Sequence, residues 1–209
     1  DIVSNKTCAS GSDGSLNCTC FGRRGDVEEG CYDVSGSPEE LKHVLGGEAA
    51  LWGACTGGFV KAVEVAMQAA GVDVNWADPD DGSTALYQAC CYGHLDVVRV
   101  LLAADGIQAN QARTTDGITP LYMACQNGHL DVVRELLGAD GIQANQANQN
   151  SQTPINIAAY DGHVDVVRLL LSVPGIDVTT ADKWGTTPLE IARESGHGAV
   201  VSVLESFSS

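Results

Sequence analysis

Positive charge is scarce in this chain. Of 209 residues only 11 are Lys or Arg against 27 Asp or Glu, a formal net charge of −16 at pH 7. A surface of that sign repels phosphate backbones and anionic headgroups, which puts nucleic acid and membrane surfaces at the bottom of the list of partners. Long hydrophobic runs are missing too. No stretch approaches the roughly 18 to 20 apolar residues of a membrane helix, so no membrane insertion is expected. The sequence opens on Asp1, without an initiator methionine and without the basic segment and apolar core of a signal peptide, and reads as a mature or trimmed form. Catalytic signatures are absent as well: there is no phosphate-binding glycine loop, nucleophile elbow or H-E-x-x-H. No catalytic residue and no cofactor is expected.

What is present is repetition. The nonapeptide ADGIQANQA occupies 104–112 and again 139–147. Aligned on a histidine, the segments STALYQACCYGHLDVVRVLL from Ser83, ITPLYMACQNGHLDVVRELL from Ile118, QTPINIAAYDGHVDVVRLLL from Gln152 and TTPLEIARESGHGAVVSVLE from Thr186 superpose. An earlier copy, EAALWGACTGGFVKAVEVAM from Glu48, carries Phe59 in the histidine slot. Each copy has a short apolar segment opening on T-P-L, a G-H break, and a second segment with apolar residues at helical spacing, such as Leu95, Val98, Leu101 and Leu102. The pattern predicts helix, turn, helix, with D-G, Pro and Asn turns between copies.

These residues resemble the ankyrin repeat, with its T-P-L-x-x-A-A-x-x-G-H-L-x-V-V-x-x-L-L helix pair, over about residues 47 to 209. The resemblance implies an all-α solenoid of helix-turn-helix units whose connecting turns project as fingers toward a concave face. Within it, ADGIQANQA spans the end of a second helix and the start of the next finger. Gly106 and Gly141 are expected to end those helices in a left-handed conformation.

Two domains follow: a Cys-rich arm over 1–36, and a repeat domain over 37–209 made of a cap helix at 37–46 and five repeats. Ser37-Pro38-Glu39-Glu40 has the N-cap, first-turn proline and capping-box spacing of a helix start. The arm is too poor in large apolar residues to form a core, so Cys8, Cys18, Cys20 and Cys31 are candidates for disulfides, giving a short irregular, cross-linked segment. A metal site there is disfavoured, because Cys18-x-Cys20 lacks paired C-x-x-C spacing and has no nearby histidine. Asn5-Lys6-Thr7 and Asn17-Cys18-Thr19 are glycosylation acceptor patterns, which together with the cysteines point to an extracellular, secreted protein.

The repeat histidines His94, His129, His163 and His197 sit in the G-H slot, where the resemblance gives them a structural role between neighbouring turns. Cys55, Cys90 and Cys125 share one small-residue slot and read as buried free thiols, with Cys91 the more exposed neighbour. The resemblance places partner contacts on finger tips and first helices. Here those positions hold Asp80, Asp81, Tyr92, Thr115, Asp116, Gln126, Asn127, Tyr160, Asp161, Lys183 and Trp184. Aromatic side chains are favoured interface anchors, so Trp184 is the foremost candidate. At the carboxyl end, Glu205 replaces a repeated leucine while Val200, Val201, Val203 and Leu204 keep an internal character, which suggests an apolar end face. The expected partner is a protein, with other copies of this chain in front: a glycosylated structural subunit that self-associates, in filaments, through the end face and arm. The alternative is a monomeric extracellular adaptor that binds another protein through the concave surface.

Overall fold

The computed structural model describes residues 47–207 and the backbone of 18–21 and 30–33. Among the described residues the repeats form five antiparallel helix pairs: α1 Glu48–Gly57 with α2 Val60–Met67, α3 Ala85–Tyr92 with α4 Leu95–Leu102, α5 Pro120–Gln126 with α6 Leu130–Leu137, α7 Pro154–Tyr160 with α8 Val164–Leu171, and α9 Pro188–Glu194 with α10 Gly198–Phe207. First helices pack on first helices and second on second, so the chain is a two-layered stack of repeats. In the arm, β1 Cys18–Phe21 pairs antiparallel with β2 Gly30–Asp33, Cys20 standing opposite Cys31. The arm expected to be irregular therefore contains one short ladder. The cap helix at 37–46, the first sequon, Asn17 of the second and Cys8 lie outside the described residues.

The T-P-L signature works as a helix start. Thr84 and Thr119 are N-caps whose hydroxyls accept from the Tyr87 and Tyr122 amides, each at 3.1 Å, and Pro120, Pro154 and Pro188 fill first-turn positions that need no N–H. In α9 Glu190 completes a capping box by accepting from the Thr187 amide at 2.9 Å. The second helices carry Asp96, Asp131 and Asp165 in the first turn and Arg99, Arg134 and Arg168 in the last, both favourable to the helix dipole. Their V-V-x-x-L pattern points inward: Val97, Val98 and Leu101, and their equivalents Val132, Val133 and Leu136, are buried. Truncating one such leucine to alanine costs about 2–5 kcal/mol.

The G-H break joins consecutive repeats. His94 Nε2 lies 3.0 Å from the Thr56 carbonyl, His129 Nε2 3.1 Å from Cys91 O, His163 Nε2 2.9 Å from Gln126 O, and His197 Nε2 2.8 Å from Tyr160 O. Each of these imidazoles bridges to the preceding repeat. Gly93 is left-handed at φ 74°, and a Cβ there would come within 2.7 Å of the His129 ring, so backbone conformation and close approach both require glycine.

Two expectations change. Gly106 and Gly141 are left-handed, at φ 76° and 73°, but α4 and α6 stop earlier, at right-handed C-caps on Ala103 and Gly138. The glycines shape the turn beyond the helix and do not end the helix itself. The apolar end face is also corrected. Val200, Val203 and Leu204 are 0%, 6% and 2% exposed, and Val201 is only half-exposed. They fill the inward side of α10, which packs on α8 and α9. Outward positions of the same repeat carry Ala199, Ser202, Glu194 and an Arg193–Glu205 ion pair at 2.6 Å between its two helices. The outward surface of the last repeat is mostly polar, with Phe207 exposed at its end.

Candidate functional site: the groove at the fourth and fifth fingers

The fourth and fifth fingers are tight hairpins, each held by its leading side chain. Asp182 Oδ1 accepts from the amides of Trp184 and Thr186, both at 3.0 Å, and Asn148 Oδ1 accepts from Asn150 at 2.8 Å and Gln152 at 3.0 Å. Neighbouring fingers are joined by backbone bonds, Gln149 N to Asp116 O and Lys183 N to Asn150 O, each 2.9 Å. The fingers therefore form a fixed comb, and what they present is positioned before any partner arrives.

Several of the expected contact residues serve that comb. Asp81 Oδ1 accepts from Ser83 N at 2.8 Å, and its other oxygen lies 3.9 Å from Arg113 Nη1. Asp116 pairs with Arg113 and accepts from Ile118 N at 3.1 Å. Burial pushes its carboxyl up, but these donors more than offset that and leave it below the ordinary carboxylate range. Arg113 in turn lies 5.0 Å from the centroid of the buried Tyr87 ring. The Asn127 amide donates to Cys91 O at 2.8 Å, while Gln126 is half-buried and gives its carbonyl to His163. Asp80 and Thr115 are exposed at the second and third finger tips.

The remaining candidates are unspent surface. Tyr92, Tyr160 and Trp184 are 54%, 56% and 64% exposed. Tyr92 stacks on His94 with centroids 6.1 Å apart. Lys183 Nζ lies 4.5 Å from the Trp184 centroid and donates to Asn150 Oδ1 at 2.6 Å, which holds the indole from one side. Asp161 is exposed beside Tyr160, and partial burial raises its carboxyl above the ordinary value.

Tyr160 and Trp184 line the same groove of about 580 Å³, together with Gln152, Ile191, Glu194 and Ser195. Tyr92 lies two repeats away and outside it. Gln152, Ile191, Glu194 and Ser195 were not singled out from the sequence. Glu194 holds in the fifth repeat the register that Tyr160 holds in the fourth, so the alignment contained the signal for it. A larger cleft, about 920 Å³, runs between the two ADGIQANQA turns and is lined by Asn110, Gln111, Arg134 and Gln146. It has no aromatic lining, and its central amide, Asn110, is already bonded to Gly141 and Gln143. The smaller groove offers the better anchor geometry.

The four thiols of the repeats, Cys55, Cys90, Cys91 and Cys125, are free. Burial pushes the Cys55, Cys90 and Cys125 thiols far up, which leaves them protonated and inert. Among the described residues no three His, Cys, Asp or Glu side chains gather as a metal site, and no helix is long and apolar enough to cross a membrane.

Comparison with known families agrees with the architecture. The family described as Ankyrin repeats (3 copies) matches residues 34–113, 51–148, 105–182 and 140–206. The chain belongs to the ankyrin-repeat family, whose members act as protein–protein interaction modules. No curated protein matches it.

Proposed function

We propose that this chain is a non-catalytic binding module that captures a segment of another protein in the groove between its fourth and fifth fingers. The observation that carries this reading is the pairing of Tyr160 and Trp184, both more than half exposed, across one groove on a rigid comb. Large amphipathic rings bury much area at low entropic cost, and a fixed scaffold loses little freedom on binding.

Self-association through the carboxyl end face loses most of its expected apolar surface, since Val200, Val203 and Leu204 are internal and Val201 is half-exposed. A secreted, glycosylated setting rests on Asn5, Asn17 and the four arm cysteines as read in the sequence. Inert buried thiols in the repeats are compatible with an oxidising compartment. Peptide mapping of native, non-reduced protein for glycans at those two asparagines tests this setting directly.

Peptide-display selection on the full chain, counter-selected on a Tyr160→Ala, Trp184→Ala variant, tests the groove. Enrichment of peptides that bind the parent and are lost on the variant is expected. Peptides that bind both proteins equally would place recognition elsewhere.

A further inference from the structure

The groove also carries information about the chemistry of what it binds. Two aromatic side chains, Tyr160 and Trp184, line it together with the apolar Ile191. Glu194 lines the same groove, is exposed, and its side chain makes no ion pair or hydrogen bond among the described residues. Its neighbour Arg193 is engaged in the Glu205 pair, so that guanidinium is already spent. Asp161, next to Tyr160, is exposed and has His163 and His197 as its charged neighbours. Aromatic faces attract cations, and an unpaired carboxylate beside them adds a directional acceptor. That Trp184 can do so is visible within the chain, since Lys183 already lies 4.5 Å from its centroid. The whole chain carries −16, so a basic partner segment is also steered toward it.

We infer that the Tyr160–Trp184 groove takes a single basic side chain of the partner, arginine above lysine, with its cation against the aromatic rings and hydrogen-bonded to Glu194. Arginine is preferred because its planar guanidinium stacks on a ring while its N–H fork meets a carboxylate. This rests on the binding reading above, and adds the class of residue bound. Lys183 then has a definite sign of effect. It orders the indole, but it is a like charge next to the incoming cation, so neutralising it strengthens binding to a cation and would not strengthen binding to a neutral or anionic group.

The test is titration of the isotope-labelled full chain at low salt with capped Gly-Arg-Gly, followed at the Trp184 indole N–H resonance, which is assigned by its loss in Trp184→Phe. The citrulline counterpart keeps the shape and removes the charge. Expected are a saturable shift with Kd on the order of 1 mM, about tenfold weaker binding of the citrulline peptide, weakening of several-fold in Glu194→Gln, and strengthening in Lys183→Gln. Equal binding of the two peptides, or no saturable shift with either, overturns the inference. Should display selection instead enrich Trp184-dependent peptides that lack arginine and lysine, the binding surface stands and its cationic specificity falls.

Discussion

Asn110 is bonded twice to the turn around Gly141: its Nδ2 donates to the Gly141 carbonyl at 2.8 Å and its Oδ1 accepts from Gln143 N at 2.9 Å. The same pair of bonds runs from Asn75 to Gly106 and Gln108, and from Asn145 to Gly175 and Asp177. The recurrence of ADGIQANQA has its physical cause here: the glycine and first glutamine receive the asparagine of the preceding repeat, and the asparagine serves the next one. Asn110→Ala loses two solvent-exposed hydrogen bonds, each contributing about 0.5–1.5 kcal/mol at most, since water can take over the freed carbonyl and amide. Urea denaturation should show a lowered midpoint for Asn110→Ala and Asn145→Ala alike, and an unchanged midpoint would remove this ladder from the stabilising interactions.

Ser151 is the one described non-glycine residue with positive φ, at 59°, and it stands where the fifth finger has Gly185, at 82°. Both fingers close the same way, Ser151 N donating to Asn148 O at 3.0 Å and Gly185 N to Asp182 O at 2.9 Å. A left-handed L-residue costs about 1–2 kcal/mol, of which glycine returns roughly 0.5–1 kcal/mol through its freer unfolded chain. Ser151→Gly should therefore stabilise by about 0.5–1 kcal/mol, read as a raised denaturation midpoint.

The thiols order by burial. Cys55, Cys90 and Cys125 are buried and held well above the usual thiol range, whereas Cys91 is half-exposed. Burial raises Cys91 too, but an Asn127 hydrogen bond and the charge of Arg113 pull the other way. Among the repeat cysteines, iodoacetamide should modify Cys91 first under native conditions, and the other three only on unfolding. Because the folded-state values lie above the unfolded value of ~8.5, the stability contributed by the neutral thiols is complete below that pH. It is lost progressively above it, so the denaturation midpoint should fall from about pH 8.5 upward, and less so in Cys90→Ala.

The repeat architecture was legible because most units repeat the same instructions: a Thr-Pro helix start in the last three, a glycine that the next histidine covers in the first four, and an inward V-V-x-x-L in the last four. The carboxyl end was misread because apolar residues near a terminus were taken as outward. Val200, Val201 and Leu204 repeat the inward V-V-x-x-L register of the second, third and fourth second helices, Val203 is buried as well, and the outward register, 199, 202 and 205, is polar or small. Asp81, Asp116 and Asn127 were read as contact residues because tip position alone does not reveal an internal partner. The groove was only half legible, since Tyr160 and Glu194 line it from adjacent repeats and a single repeat's pattern carries no register to its neighbour.

Trp184 should separate binding from folding. Its ring is 64% exposed and its marked contact is the Lys183 cation, an exposed pairing of about 0.5–1 kcal/mol, so Trp184→Ala should change stability by no more than about 1 kcal/mol. Tyr87, equally aromatic but 3% exposed, lies beneath Arg113 in the core, and Tyr87→Ala should cost several-fold more. Measured together, the two variants should dissociate: Trp184→Ala retains its thermal midpoint and loses the groove-binding peptides, while Tyr87→Ala drops in midpoint first. If Trp184→Ala destabilised as strongly as Tyr87→Ala, the indole would have to be a structural element of the fifth finger, and its exposure could no longer be taken as the mark of an interface.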